Sequence, residues 1–295
     1  MGILLGLTAA MSWGIADFFA RYATRLVGSY RAVLFTQFIS LVCLSVYLIG
    51  TGTLQQIAQH TNWQPWAWAF LAVLLNITSS LSLYRAFEVG TLAIVSPIAA
   101  SYSAITALLA VISGEAVSTL HGVGMGITLL GVVLASAPLA KRTETRMSPH
   151  TQHWRGKIPH GVTWAITAAV GYGLFFWLLG IHVTPLLGSI VPAWLNCLTT
   201  LCLFPLLAPM LRQSVHLPQG RVWWYLIGIS ILSTAGYIAV TIGFTVSETS
   251  LVTILSSLFS PVTFLLAWIF LREPLYRSQW LGVGIIFIGI ALVNM

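Results

Sequence analysis

The sequence predicts an all-α integral membrane protein, with ten transmembrane helices arranged as two inverted five-helix repeats. Three observations carry that prediction. Of 295 residues, 58% are apolar and only 6% are charged, against roughly 25% charged in soluble domains, so most side chains must face lipid. Apolar runs of about 20 residues, the length that crosses a hydrocarbon layer, recur along the chain. The two halves of the chain also match each other at a nearly constant offset.

The apolar runs, bounded by charge, Gly or Pro, fall at about 2–24, 31–50, 66–88, 90–113, 117–139, 159–183, 187–211, 221–246, 248–271 and 276–295. Each is expected to be helical, because a backbone crossing lipid must satisfy its own hydrogen bonds within the segment. The first run has no basic start and carries Trp13, Gly14 and Asp17 in place of a small-residue cleavage site, so it is expected to be a retained helix and not a signal peptide. The third and fourth runs are separated by Gly90, the fourth and fifth by Gly114-Glu115, and the eighth and ninth by Ser247-Glu248. Such short links require antiparallel neighbours. The hydrophilic stretch 141–158 divides the chain into a first repeat, 1–140, and a second, 159–295. Cys43, Cys197 and Cys202 lie inside apolar runs with no CxxC spacing and read as packing residues.

The internal match has three parts. Thr8-Ala9-Ala10, Trp13 and Gly14 align with Thr167-Ala168-Ala169, Tyr172 and Gly173 at an offset of 159. Val95, Ser103, Thr106 and Ala110 align with Val252, Ser260, Thr263 and Ala267 at 157, and Glu115, Gly124, Gly126 and Gly131 with Glu273, Gly282, Gly284 and Gly289 at 158. With five helices per copy, the second copy enters the membrane upside down relative to the first. That is the plan of many secondary transporters, whose substrate site lies near the midplane between the repeats.

Gly243-Phe244, Thr249-Ser250 and Pro261, with Arg272-Glu273 closing the ninth run and Gly282, Gly284 and Gly289 in the tenth, resemble the C-terminal repeat of the EamA-type, ten-helix members of the drug/metabolite transporter superfamily. Trp13-Gly14, Ala86, Ala93, Gly114-Glu115, Gly124 and Gly131 form the weaker counterpart in the first half. The sequence departs from symmetry where Ala104 stands opposite Pro261, the first repeat having Pro97 instead. The resemblance implies alternating-access export of a small organic metabolite (an amino acid or related compound, or a drug), exchanged against protons or run down its own gradient. It implies a multi-pass protein of the cell's plasma or inner membrane, efflux as the physiological direction, and cytoplasmic termini.

Charge placement gives a second reading of orientation. All thirteen Lys and Arg residues fall at odd-numbered connections between the predicted helices. Under the positive-inside rule those connections are cytoplasmic and both termini face outward. The net charge of +7 is therefore an orientation signal, and no nucleic-acid partner is expected.

Asp17 is the sole acid well inside a predicted span. A carboxylate there costs about 2.5–3.5 kcal/mol to insert and ordinarily faces a cavity or a partner. It reads as a proton-coupling group, as an anchor for a substrate amine, or as an interfacial acid paired with Arg21 one turn on. Asn76, Ser80 and Tyr84 form one helical face, and their aligned counterparts Ser233, Tyr237 and Thr241 form another. Two such stripes either line one wet cavity or hold the bundle together. Trp13, Tyr102, Tyr172 and Trp177 are placed to stack on a substrate. The small-residue stripes Ser96, Ala99, Ser103, Thr106 and Thr253, Ser256, Ser260, Thr263, and the glycine series of the fifth and tenth runs, read as packing surfaces. Arg85 is placed to snorkel, to pair with Glu88 or to meet a substrate carboxylate. No P-loop, no cofactor motif and no metal-ligand spacing is present, so the expected partners are a small-molecule substrate, lipid and a proton. The competing classes are a non-transporting scaffold or sensor, for which matched polar stripes would be idle, and an intramembrane enzyme, which would need a nucleophile with a base or paired acids.

Overall fold

The computed structural model describes residues 1–51, 63–136, 161–208, 216–271 and, in the last span, 280–282, 284–285, 288–289 and 292. The central stretch 141–158 and the Arg272-Glu273 pair lie outside the described residues. The first half contains α1 (Gly2–Val27), α2 (Ser29–Thr51), α3 (Gln64–Val89), α4 (Leu92–Ala100), α5 (Tyr102–Ile112) and α6 (Thr119–Ser136). The second contains α7 (Val162–Leu178), a π-helical turn (Leu179–Val183), α8 (Thr184–Leu187), α9 (Val191–Leu207), α10 (Val222–Val246), α11 (Thr249–Ser256) and α12 (Phe259–Leu271). Among the described residues, six helical segments, including 162–187 and 249–271, are long and apolar enough to cross a membrane, and shorter apolar helices accompany them.

The sixth span runs four residues beyond its predicted end at 183. Pro185 does not stop it, because it sits in the first turn of α8, where a missing N–H costs no intrahelical bond. Gly188, at φ 71°, ends it instead.

The predicted fourth and ninth helices are each broken at matched places. Ser101 separates α4 from α5, and Ser257-Leu258 separate α11 from α12. At the breaks, Ser101 N bonds to Ile98 O (3.2 Å) and Leu258 N to Leu255 O (3.2 Å), the same three-residue step at equivalent positions. Pro261 has no N–H to offer the turn before it, which explains the second break. Ala104 lacks that property, yet the first repeat bends at the same point. Serine hydroxyls satisfy carbonyls around both breaks: Ser101 Oγ donates to Ile98 O (2.7 Å) and Ser257 Oγ to Ile254 O (2.6 Å).

The repeats interlock. α1 packs along α10 and against α11 and α12, and α7 packs along α3 and against α4 and α5. Matched glycines permit the approach. A Cβ on Gly14 would lie 2.5 Å from Val262 Cβ, and one on Gly173 would lie 2.6 Å from Ile105 Cβ, its repeat-related counterpart. Thr263 Oγ1 donates to Gly14 O (3.2 Å) and Thr106 Oγ1 to Gly173 O (2.9 Å), so each contact carries the same hydrogen bond across the repeats. The small-residue stripes thus act as packing surfaces, with Ser103, Thr106, Thr253, Ser256 and Thr263 all fully buried. In the last span Gly289 crosses α6 against Thr128 and Gly124, whereas Gly126 and Gly284 have nothing within 4 Å of where a Cβ would be.

The two ends of the bundle differ in charge. At one end Ser29 N donates to Glu88 Oε2 (3.0 Å), and buried Arg21 donates through Nη1 to Phe87 O (2.7 Å) and Gly90 O (2.6 Å), capping α3. Cations favour helix C-termini for just this reason. Arg85 pairs with Glu88 at 2.6 Å. At the other end Ser250 donates its N–H (3.0 Å) and its hydroxyl to Glu115 Oε1, tying α11 to the connection after α5. Every described Lys or Arg (Arg21, Arg25, Arg31, Arg85 and Arg221) belongs to the first end.

Candidate functional site

The cavity lies where the interlocked helices cross. It offers about 150 Å³ to the centres of water-sized molecules, room for about ten waters or a small organic solute. Its walls come from α1, α2, α3, α4, α5, α7, α9, α10 and α12, and thus from both repeats.

Nine of the eleven residues singled out in the sequence line this space: Trp13, Asp17, Asn76, Ser80, Tyr84, Tyr102, Tyr172, Ser233 and Tyr237. Trp177 does not. It lies five residues past Tyr172, about 140° round the helix, and its Nε1 donates to Ser113 Oγ (2.8 Å). Thr241 lies one turn beyond Tyr237 on α10. Its hydroxyl bonds to the carbonyls of Tyr237 (3.0 Å), Ile238 (3.1 Å) and Ser189 (3.2 Å) instead.

The floor is a cluster of aromatic rings organised by the repeat symmetry. Tyr102 and Phe259 are repeat-related, and their rings stack with centroids 6.2 Å apart and planes 15° apart. Phe176, the counterpart of Asp17, packs at 5.5 Å from Trp13 and 5.0 Å from Tyr102. Polar tips are fixed by neighbours: Ser80 Oγ meets Tyr172 OH at 3.0 Å, Tyr102 OH meets Ser256 Oγ at 2.7 Å, and Trp13 Nε1 donates to Ser233 O at 3.2 Å.

A second polar group comes from helices with no predicted role. Gln37 of α2 and Asn196 of α9 are themselves 159 positions apart and meet across the cavity, Asn196 Nδ2 to Gln37 Oε1 at 3.5 Å. The same oxygen accepts from Cys197 Sγ at 3.0 Å. Thr36, Ser40, Ser230 and Thr234 complete this wall, with Thr234 Oγ1 donating to Ser40 Oγ at 3.0 Å. Extending the 159-residue offset to the second helices would have found the Gln37–Asn196 pair, because each is the lone carboxamide in its predicted span.

Three buried polar atoms of the cavity lack a hydrogen-bond partner: Asp17 Oδ2, Asn196 Oδ1 and Tyr237 OH. Buried polar atoms are ordinarily satisfied, and such exceptions mark places for water, an ion or a ligand. Asp17 is only 9% exposed and lies within electrostatic reach of the Tyr84, Tyr102 and Tyr172 phenols. The chemistry on offer is one carboxylate, several neutral donors and acceptors, and a broad aromatic surface.

A crystal structure of a protein 18% identical in sequence superposes on this chain with a TM-score of 0.74, covering 99% of this chain and 96% of its own. At that identity the likeness speaks for the fold. No curated protein sequence matches the chain. The model of the EamA-like transporter family matches residues 1–137 and again residues 160–295, one match per half. Both matched segments together take in nearly the whole sequence, and the chain belongs to the EamA-like transporter family.

Proposed function

We propose that this membrane transporter is a secondary active exporter that carries a small organic solute through the central cavity by alternating access, with Asp17 as its proton-coupling group. The observation that carries the reading is the convergence of polar and aromatic residues from both repeats on one cavity with unsatisfied atoms in its wall. Inverted repeats that meet at a midplane site can expose that site to either side by exchanging conformations. Because α1 and α7 each pack into the opposite repeat, the moving bodies mix helices of both repeats and are not the two sequence halves. A carboxylate that alternates between protonated and charged states at such a site links solute movement to proton movement. The cell's plasma or inner membrane is its proposed location.

The test is reconstitution into liposomes with an imposed pH gradient, following movement of amino acids, nucleosides and cationic drugs. The expected result is gradient-driven movement of at least one class, reduced in Tyr84→Phe/Tyr237→Phe protein of normal abundance and dispersity. Unchanged transport in that double variant would remove the cavity from the pathway.

A further inference from the structure

We infer that the cavity selects organic monocations: amines whose ammonium binds at Asp17 and whose body is uncharged and aromatic or apolar. The inference rests on the transport reading above and narrows its substrate class. It starts from the charge inventory of the wall. Among the described residues, Asp17 is the one acid that lines the space, and no Lys, Arg or His does. Arg21, a turn along α1, directs Nη1 to the Phe87 and Gly90 carbonyls at the end of the bundle.

A zwitterion or an anion entering this cavity would bring a carboxylate to a wall with no cationic side chain and one carboxylate of its own. Burying a charge without a partner is costly, and a like charge nearby adds repulsion. A monocation meets the opposite situation. Its ammonium supplies the donors that Asp17 Oδ2 lacks, as a charge-assisted hydrogen bond. The rings of Trp13, Tyr102 and Tyr172 line the same cavity, and aromatic walls suit a cation better than an anion. At the other wall Asn196 Oδ1 and Tyr237 OH are unsatisfied and neutral. They suit a hydroxyl or amide on the solute's body and offer nothing to a second charge. The amino acids that the family resemblance implies are therefore excluded as free zwitterions, while their decarboxylated or esterified forms fit.

The experiment uses three ligands that share a phenyl ring and spacer but differ in charge: phenethylamine, phenylalanine and 3-phenylpropionate. Each is titrated calorimetrically into the purified full chain. Phenethylamine is expected to bind, phenylalanine about tenfold or more weakly than it, and the acid not measurably. Asp17→Asn is expected to weaken phenethylamine by about tenfold or more, and Asp17→Glu, which keeps the charge, to retain most of the affinity. Both variants are checked for a wild-type elution profile.

Equal binding of phenylalanine or the acid overturns the inference, as does unaltered amine affinity in Asp17→Asn. Failure of phenethylamine to bind also overturns it. Liposome assays separate the two claims. Movement of a zwitterion or acid would overturn the cation assignment and leave transport standing, whereas amine binding with no movement of any solute would overturn transport and leave the selectivity standing.

Discussion

Adding one methyl group at Gly173 tests the interlocking of the repeats. In Gly173→Ala the new Cβ would sit 2.6 Å from Ile105 Cβ and 3.2 Å from Tyr102 O. Ordinary carbon–carbon contact is about 3.5–4.0 Å, so α7 must withdraw from α5 by about 1 Å. That withdrawal stretches the Thr106–Gly173 hydrogen bond, now 2.9 Å, beyond useful length. Overpacking costs about 1–3 kcal/mol and an interhelical hydrogen bond in a membrane about 0.6 kcal/mol, giving a loss of about 2–4 kcal/mol. Gly14→Ala should behave alike, since its Cβ would lie 2.5 Å from Val262 Cβ and 2.9 Å from Phe259 O. Gly126→Ala is the control: nothing lies within 4 Å, and replacing a mid-helix glycine should gain up to about 1 kcal/mol. The assay is thermal denaturation of purified protein in detergent, read by the monodisperse fraction. If Gly14→Ala and Gly173→Ala melt no lower than Gly126→Ala, the close crossing of α1 and α7 with the opposite repeat is refuted.

Three further outcomes are expected. Asp17→Asn should abolish pH-driven transport while preserving folding, and retained proton dependence in liposomes would take coupling away from Asp17. Arg21→Met removes two short charge-assisted hydrogen bonds to the end of α3 and should cost about 3 kcal/mol in detergent melts, with Arg21→Lys recovering only part because an ammonium lacks the fork. In a cysteine-free background, Ala116→Cys should react with an impermeant thiol reagent added outside and Gln219→Cys should not; both sites are exposed, at opposite ends of the bundle. The reverse labelling would place the termini in the cytoplasm.

How far the sequence could be read depends on which physical signal each feature leaves. Long apolar runs and the 157–159-residue offset carried the fold, because lipid imposes helix on any such run and duplication preserves positions. Helical spacing carried most of the cavity: Asn76, Ser80 and Tyr84 share a face that bundling turns inward. The paired breaks at Ser101 and Ser257-Leu258 were hidden, since only one of them has a proline at hand and serine looks like any small packing residue. Trp177 has the residue type of a stacking surface but the wrong helical phase for this cavity. Thr241 had the right phase but lies too far along α10, a depth that only the close packing of whole helices determines. Gln37 and Asn196 are each the lone carboxamide of their span, and their pairing shows only when the 159-residue offset is carried on to the second helices of the repeats.

The central claim is that solute passes through the cavity between the repeats, and the native thiol of Cys197 gives direct access to it. Cys197 is 3% exposed and lines that space, so in Cys43→Ala/Cys202→Ala protein a small permeant maleimide would report on this one site. Alkylation is expected to abolish transport, and a transported solute to slow the alkylation. Fully alkylated protein that carries solute at the unmodified rate would contradict the claim.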